Sequence, residues 1–403
     1  MSIYDNAGVV LIPSGTNEGT LYSVLPANGN GDFTHDRNLT TATRVNKDGL
    51  IEGVAADVPR LDYPLIDGVV QDCPALLLEP QRTNLQTRSE EFNNSTWTKS
   101  NVSITADNIV SPNGSQTADL CNYTFSTSYI NSGFTSTGNT DVTVSVFVKA
   151  NTVSTFRIRE SFYIGSSCLF DLSSGSAGSG GTIQEYLNDW YRCTFTYTLG
   201  SGQTIINYMF DLNTNVGSVY LWGAMVELGS YPTSYIKTTS GQVTRSADVC
   251  YGSGTSAEFN DSEGVLFAEL EAFVDNDVSN RYISIANFAG SNHINIQYRT
   301  SGSNLRIYQN GVGSSNLVYF EDFDLTDNIK IAVKYGASSS NYVVYVNGVK
   351  KTINAGFVAG TMSELSELKF LYGGGGAPWY GKAKQLIVFN EALTDTELEN
   401  LTS

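Results

Sequence analysis

The chain has 403 residues and a formal net charge of −17, with charged residues at 16% against 41% hydrophobic. Its 23 Lys and Arg form no basic run, so it lacks the clustered cations that grip phosphate backbones or anionic membrane surfaces, and no nucleic-acid partner is expected. No stretch approaches the ~20 apolar residues of a membrane span, so no membrane insertion is expected, and Met1-Ser2-Ile3-Tyr4-Asp5 lacks a basic-then-apolar leader. The expectation is a chain that stays in the cytosol of its producing cell unless it leaves on a particle.

The length exceeds one ordinary core and suggests two to three domains. The 38 Gly, 23 Tyr and 19 Phe, with abundant Thr, Ser and Asn, suit the pleated, half-buried surfaces of an all-β protein. Five cysteines (Cys73, Cys121, Cys168, Cys193, Cys250) are scattered and odd in number. They are read as reduced and mostly buried rather than as a disulfide or zinc framework.

In chain order, residues 8–13 and 19–26 read as short strands closed by prolines. Residues 43–52 read as a hairpin with Asp48-Gly49 in a type I′ turn. Residues 75–78 have the length of a buried strand that Pro80 stops. With so few large apolar residues, segment 1–88 is expected to pack on neighbouring chains or on a larger particle, as an attachment or oligomerisation segment. Phe92 and Trp97 pin the polar connection after it.

Residues 89–248 carry a series of strand signals. Val142, Val144, Val146 and Val148 share one face of the stretch 141–149, and 156–159, 190–197 and 218–227 alternate similarly. With Gly/Ser-rich turns such as 173–181, this is a two-sheet jelly roll. Residues 249–403 add strands at 265–273, 281–286, 292–298, 329–335 and 342–350, the last with an Asn347-Gly348 turn. A final strand then runs into a short helix capped by Thr394.

The run Leu77-Leu78-Glu79-Pro80-Gln81-Arg82-Thr83-Asn84-Leu85, followed by Ser89-Glu90-Glu91-Phe92 and Trp97, resembles a signature recurring in tailed-bacteriophage virion proteins. There it joins an N-terminal segment to a carbohydrate-binding-like sandwich. Pro59-Arg60-Leu61-Asp62-Tyr63, Leu221-Trp222-Gly223-Ala224-Met225-Val226-Glu227, Ser234-Tyr235-Ile236 and Thr244-Arg245-Ser246-Ala247-Asp248 are similar to further parts of it. Tyr345-Val346-Asn347-Gly348 and Ala392-Leu393-Thr394-Asp395-Thr396-Glu397-Leu398 resemble the laminin-G or concanavalin A-like lectin sandwich, over most of 262–401. The resemblance implies two tandem antiparallel β-sandwiches after an extended N-terminal attachment segment. It also implies a non-enzymatic, homotrimeric virion protein (a tail or head fibre, adhesin or decoration protein) whose partners are host cell-surface polysaccharide and other virion proteins; the alternative is a purely structural virion component with no glycan ligand.

Sugar binding needs exposed aromatic faces beside hydrogen-bonding side chains. The loop Gly373-Gly374-Gly375-Gly376-Ala377-Pro378-Trp379-Tyr380 offers Trp379 and Tyr380, although Trp379 also suits a core slot. Tyr129, Tyr163 and Tyr208 are candidates to line the concave sheet of the middle sandwich, whereas Trp190 and Trp222 read as core. Glu269 and Glu271 lie two apart on one strand face, as do the carboxylates of concanavalin-like glycosidases. Here Glu replaces the middle Asp, and Phe273 stands where the last carboxylate belongs. A solvated face is the expectation and a polysaccharide depolymerase the alternative. His35 and His293 are expected on the surface, and no Ser-His-Asp arrangement is available. No cofactor is expected, with Ca²⁺ a candidate at Glu321-Asp322-Phe323-Asp324 and Asp275-Asn276-Asp277.

Overall fold

The computed structural model describes residues 3–403 apart from 14–20, 136–137, 139, 161–164, 204, 275–278, 300–304, 312–313, 321–322, 337–340 and 354–359. Alternating apolar residues pair strands into two sheets across residues 98–228. One sheet runs Thr98–Ser100, Tyr129–Thr135, Ile205–Asp211, Thr155–Glu160, Ser167–Asp171 and Ser176–Ala177. The other runs Val102–Val110, Gln116–Tyr123, Gly217–Leu228, Asp141–Ala150, Trp190–Thr198 and Gly181–Tyr186. Their inward residues, among them Val144, Phe156 and Phe210, form one core with Phe92 and Trp97 of the preceding connection.

Alternation in 141–149 predicts one wet face, but Thr143, Ser145 and Phe147 are buried too. Residues 231–236 and the hairpin of Ala42–Val45 and Ile51–Val54 lie over that face, and Val45, Ile51, Leu65, Trp190 and Trp222 cluster there with Phe147. Arg192 ties the layers by donating to Ser145 Oγ at 3.0 Å and to the Thr233 carbonyl at 2.7 Å. The centre of this sheet is therefore covered on both sides, whereas its partner sheet keeps an open face.

The C-terminal sandwich sets an eight-stranded sheet against a five-stranded one. Ala7–Leu11 and Ala75–Leu78 both pair with Gly381–Phe389, and Leu61–Asp62 extends the edge. The N-terminal segment packs on this chain's own C-terminal core, where Val9, Leu11, Leu76 and Leu78 find apolar partners. The Asn347-Gly348 turn has both residues at positive φ (48° and 75°), the type I′ geometry expected. At Asp48-Gly49 only Gly49 is left-handed. Asn46 Oδ1 accepts from Asp48 N and Leu50 N, each at 3.0 Å, and widens that turn. The helix Asp395–Thr402 carries the expected cap as a capping box between Thr394 and Glu397. All five cysteines are free and four are buried, with Cys73 exposed. The histidines depart from expectation: His35 and His293 are both buried.

Arg60, Glu79, Arg245 and Asp248, all from segments that carry the phage-protein resemblance, meet with Arg37 and His35 in a buried ion network. Arg60 pairs with Glu79 at 2.5 Å and with Asp248; Arg37 reaches Asp248 at 2.9 Å and Arg245 reaches Glu79 at 2.8 Å. His35 Nε2 lies 3.3 Å from Asp248. Every side chain is at most 2% exposed. Glu79 also accepts from Ser234 N and Oγ, both at 2.7 Å. Asn84 bonds Ala224, Val226 and Ile236, so it too is a structural clamp. The network ties the N-terminal segment to the linker between the sandwiches.

Burial alone would raise both carboxyls, but the arginines outweigh it, bringing Glu79 down to about 2 and Asp248 below the usual carboxylate range. A carboxyl whose pKa is lower folded than unfolded stabilises fully above the unfolded value, and that stability is lost as pH falls through the folded one. Unfolded carboxyls titrate near ~4, so the urea midpoint should hold at neutral pH and drop steeply between about pH 4 and pH 2. Glu79→Gln, measured by the same titration, should flatten that drop.

Candidate functional site

The open face belongs to the first sheet of the middle sandwich. Phe156, Ile158, Tyr208 and Phe210 point into the core, so alternation turns Arg157, Arg159, Met209 and Asp211 outward. Register aligns them in rungs. Thr98 pairs with Asn131, Asn131 with Met209, Met209 with Arg159 and Arg159 with Ser167. In the next rung Asp211 pairs with Arg157, and Arg157 with Leu169. Ile130 pairs with Phe210, so Tyr129 falls opposite Asp211. Strands ~4.8 Å apart make a five-strand rung ~19 Å wide, the span of a few sugar rings.

Asp211 organises this face. Its carboxylate takes Arg157 Nε at 2.8 Å and Nη2 at 3.0 Å, Arg159 Nε at 2.8 Å and Asn213 N at 2.7 Å. Arg157 Nη1 donates to Asn213 Oδ1 at 2.9 Å. Both guanidinium planes are therefore fixed before any ligand arrives, which lowers the cost of ordering them. Arg159 is 35% exposed, and its terminal amino groups make no hydrogen bond to a described residue. The exposed edge of this guanidinium carries N–H groups of the kind that donate to a hydroxyl or carboxylate oxygen. Half-buried Tyr129 and exposed Leu169 supply apolar surface on either side.

Of the candidates read from sequence, Tyr129 lies on this face. Tyr208 does not: it points into the core and its hydroxyl donates to Gln86 Oε1 at 2.5 Å. Trp379 is fully buried, edge-on to Tyr298 at 4.6 Å, and so fills the core slot. Tyr380 stands half-buried at the junction of the sandwiches, its ring 5.9 Å from the Arg281 guanidinium and its carbonyl bonded to it at 2.9 Å. Tyr163 lies outside the described residues, as do Asp275, Asn276, Asp277, Glu321 and Asp322. Asp324 is engaged by Thr326 N and Oγ1. Among the described residues there is no cluster of three or more His, Cys, Asp or Glu able to hold a metal.

Glu269 and Glu271 line different hollows. Glu269 accepts from Asn328 at 2.8 Å and lines a depression with Lys330, Gln385 and the C-terminal helix. Glu271 opens into a cleft of about 320 Å³ between the sandwiches, near Lys382, Asp62 and Tyr63. A retaining glycosidase needs both carboxyls converging on one bond. Sequence reasoning missed the role of Arg157, Arg159 and Asp211. Two arginines on the wet side of a strand, in a chain with few cations, were the available signal; Asp211 is more than 50 residues away.

No family model matches the chain, and no curated protein does. Among solved structures it is similar to the CBM40 of Ruminococcus gnavus IT-sialidase bound to α2,3-sialyllactose, with 14% identity, a TM-score of 0.29, and 36% of this chain and 84% of that one covered. Domain 4 of the extracellular arabinanase AbnA from Geobacillus stearothermophilus, in complex with arabinotriose, shares 12% identity at a TM-score of 0.31, covering 42% of this chain and 81% of that one. A mutant NanB sialidase from Streptococcus pneumoniae shares 15% identity at 0.28, over 37% of this chain and a quarter (25%) of that one.

Proposed function

We propose that this chain is a non-catalytic glycan-binding protein that uses the open face of its middle sandwich, and that it serves on a tailed-bacteriophage particle as a fibre, adhesin or decoration protein. The observation that carries the binding role is the Arg157–Asp211–Arg159 cluster. It presents oriented guanidinium groups beside Tyr129 on a sheet face wide enough for several sugars. A carboxylate pairs with an arginine fork more strongly than a neutral hydroxyl does, so the favoured ligands are acidic polysaccharides of a host cell surface. The virion assignment rests on the signature around Glu79 to Asn84 and its matching segments. Trimeric assembly, inferred from that same resemblance, would multiply weak single-site contacts by avidity.

The full chain applied to a glycan array should retain uronate- or sialate-bearing glycans, and retention should fall as salt rises from 50 to 500 mM. Incubation with the retained polysaccharide should release no new reducing ends. Retention of no glycan would leave a structural component that binds only other virion proteins. Reducing-end release that Glu271→Gln abolishes would establish the depolymerase instead.

A further inference from the structure

The five-stranded sheet of the C-terminal sandwich also turns one face away from its core. Along His293–Tyr298, Ile294, Ile296 and Tyr298 enter the core, so His293, Asn295 and Gln297 point the other way. Polar side chains on an outer face ordinarily meet water. These three are at most 1% exposed, and each keeps one atom without a hydrogen-bond partner: His293 Nε2, Asn295 Nδ2 and Gln297 Oε1.

The opposite end of each side chain is held, which fixes what the open end offers. His293 Nδ1 lies 2.9 Å from the Gly290 carbonyl, so Nδ1 carries the proton and Nε2 is a bare acceptor. Burial holds this imidazole below the usual histidine range, in keeping with a neutral ring. Asn295 Oδ1 accepts from Gly373 N at 3.1 Å and from Ser284 Oγ, leaving its amide nitrogen to donate. Gln297 Nε2 donates to the Tyr282 hydroxyl at 2.8 Å, leaving its oxygen to accept. The row reads acceptor, donor, acceptor at intervals of ~6.8 Å.

Aromatic rings frame it. Tyr372 lies 5.0 Å from His293 and 4.9 Å from Tyr282, and Tyr308 lies 5.4 Å from His293. Tyr372 is half-buried and opens the glycine run 373–376, where Gly375 and Gly376 have φ of +93° and +71°. Gly290 packs directly on Gly373 and Gly374, and its turn also holds Phe288, which is 97% exposed. A bare aromatic ring at the rim and unpaired polar atoms beneath are the two halves of a sugar-binding surface.

We propose that the row His293, Asn295 and Gln297, roofed by Tyr372 and rimmed by Phe288, is a second ligand site that takes a neutral, hydroxyl-rich ligand of the oligosaccharide class. A hydroxyl both donates and accepts and so answers every position in the row, whereas a carboxylate only accepts and would face two acceptors. Rotation of the half-buried Tyr372 side chain opens the row at its His293 end while the Gly373 N–H stays bonded to Asn295, and the ring then lies against the bound sugar. This site stands apart from the arginine face: it occupies another sandwich and prefers the opposite ligand charge.

The test uses the full chain carrying Arg159→Ala, which disables the arginine face, on an array of neutral oligosaccharides, with calorimetric titration of the best-retained one. Binding is expected, weakened at least tenfold by Gln297→Met and at least threefold by the surface change Phe288→Ala. Either weakening, in a variant whose melting temperature matches its parent, supports the site. Retention of no neutral oligosaccharide, or affinity unchanged in both variants, overturns it. Because the background already lacks Arg159, failure of the arginine-face assignment would be read separately, in the wild-type chain on acidic glycans.

Discussion

Replacing Asp248 by Asn should lower the stability of the chain by about 3–5 kcal/mol, the usual cost of removing one partner from a buried ion pair. Asp248 compensates Arg37 and Arg60 and also accepts the backbone N–H of Glu79 at 2.8 Å. The amide keeps the shape and loses the charge. Arg37, Arg60 and Arg245 are then left with Glu79 as the one carboxylate among the network's residues, and all of these side chains are at most 2% exposed, out of reach of water. Guanidinium denaturation followed by tryptophan fluorescence measures the change, with exposed Asp171→Asn as a control expected within about 0.5 kcal/mol. A loss under ~1 kcal/mol at Asp248 would mean that the network does not hold the segments together.

Arg159→Ala should weaken acidic-glycan binding by about 10–100-fold, since a hydrogen bond to a charged group contributes about 1.5–3 kcal/mol. Stability should change by less than ~1 kcal/mol, because the Arg159 side chain is 35% exposed and Asp211 keeps its two bonds from Arg157. Arg159→Lys should not restore the affinity: a point charge on a flexible stem cannot reproduce a planar fork pinned through Nε. Titration calorimetry of the three proteins against one retained glycan reads this directly. Equal affinities would remove Arg159 from the site.

Local features were the ones legible in the sequence. The buried strand Ala75–Leu78, the Asn347-Gly348 turn and the Thr394 cap each depend on a few adjacent residues, and each is where the pattern places it. Long-range placement was not legible. Nothing near residue 142 reveals that residues 231–236 will cover its second face, and nothing near residue 9 reveals a strand 380 residues away. For the same reason an aromatic in a glycine loop could be core or surface, and Trp379 went to the core. Tyr129 was readable as a strand aromatic, but the groups beside it depend on the pairing of Arg157 with Asp211 across 54 positions. The Glu79 signature was conspicuous as a motif, while its physical role as a charge clamp needed Arg60 and Asp248 in space.

The most direct measurement is a crystal structure of the full chain with the acidic glycan it retains most strongly. The account predicts density for sugar rings lying across the rung of Tyr129, Asp211 and Arg157, with an acidic group in contact with the terminal nitrogens of Arg159. Well-ordered sugar bound elsewhere, with that face bare at saturating ligand, would contradict it.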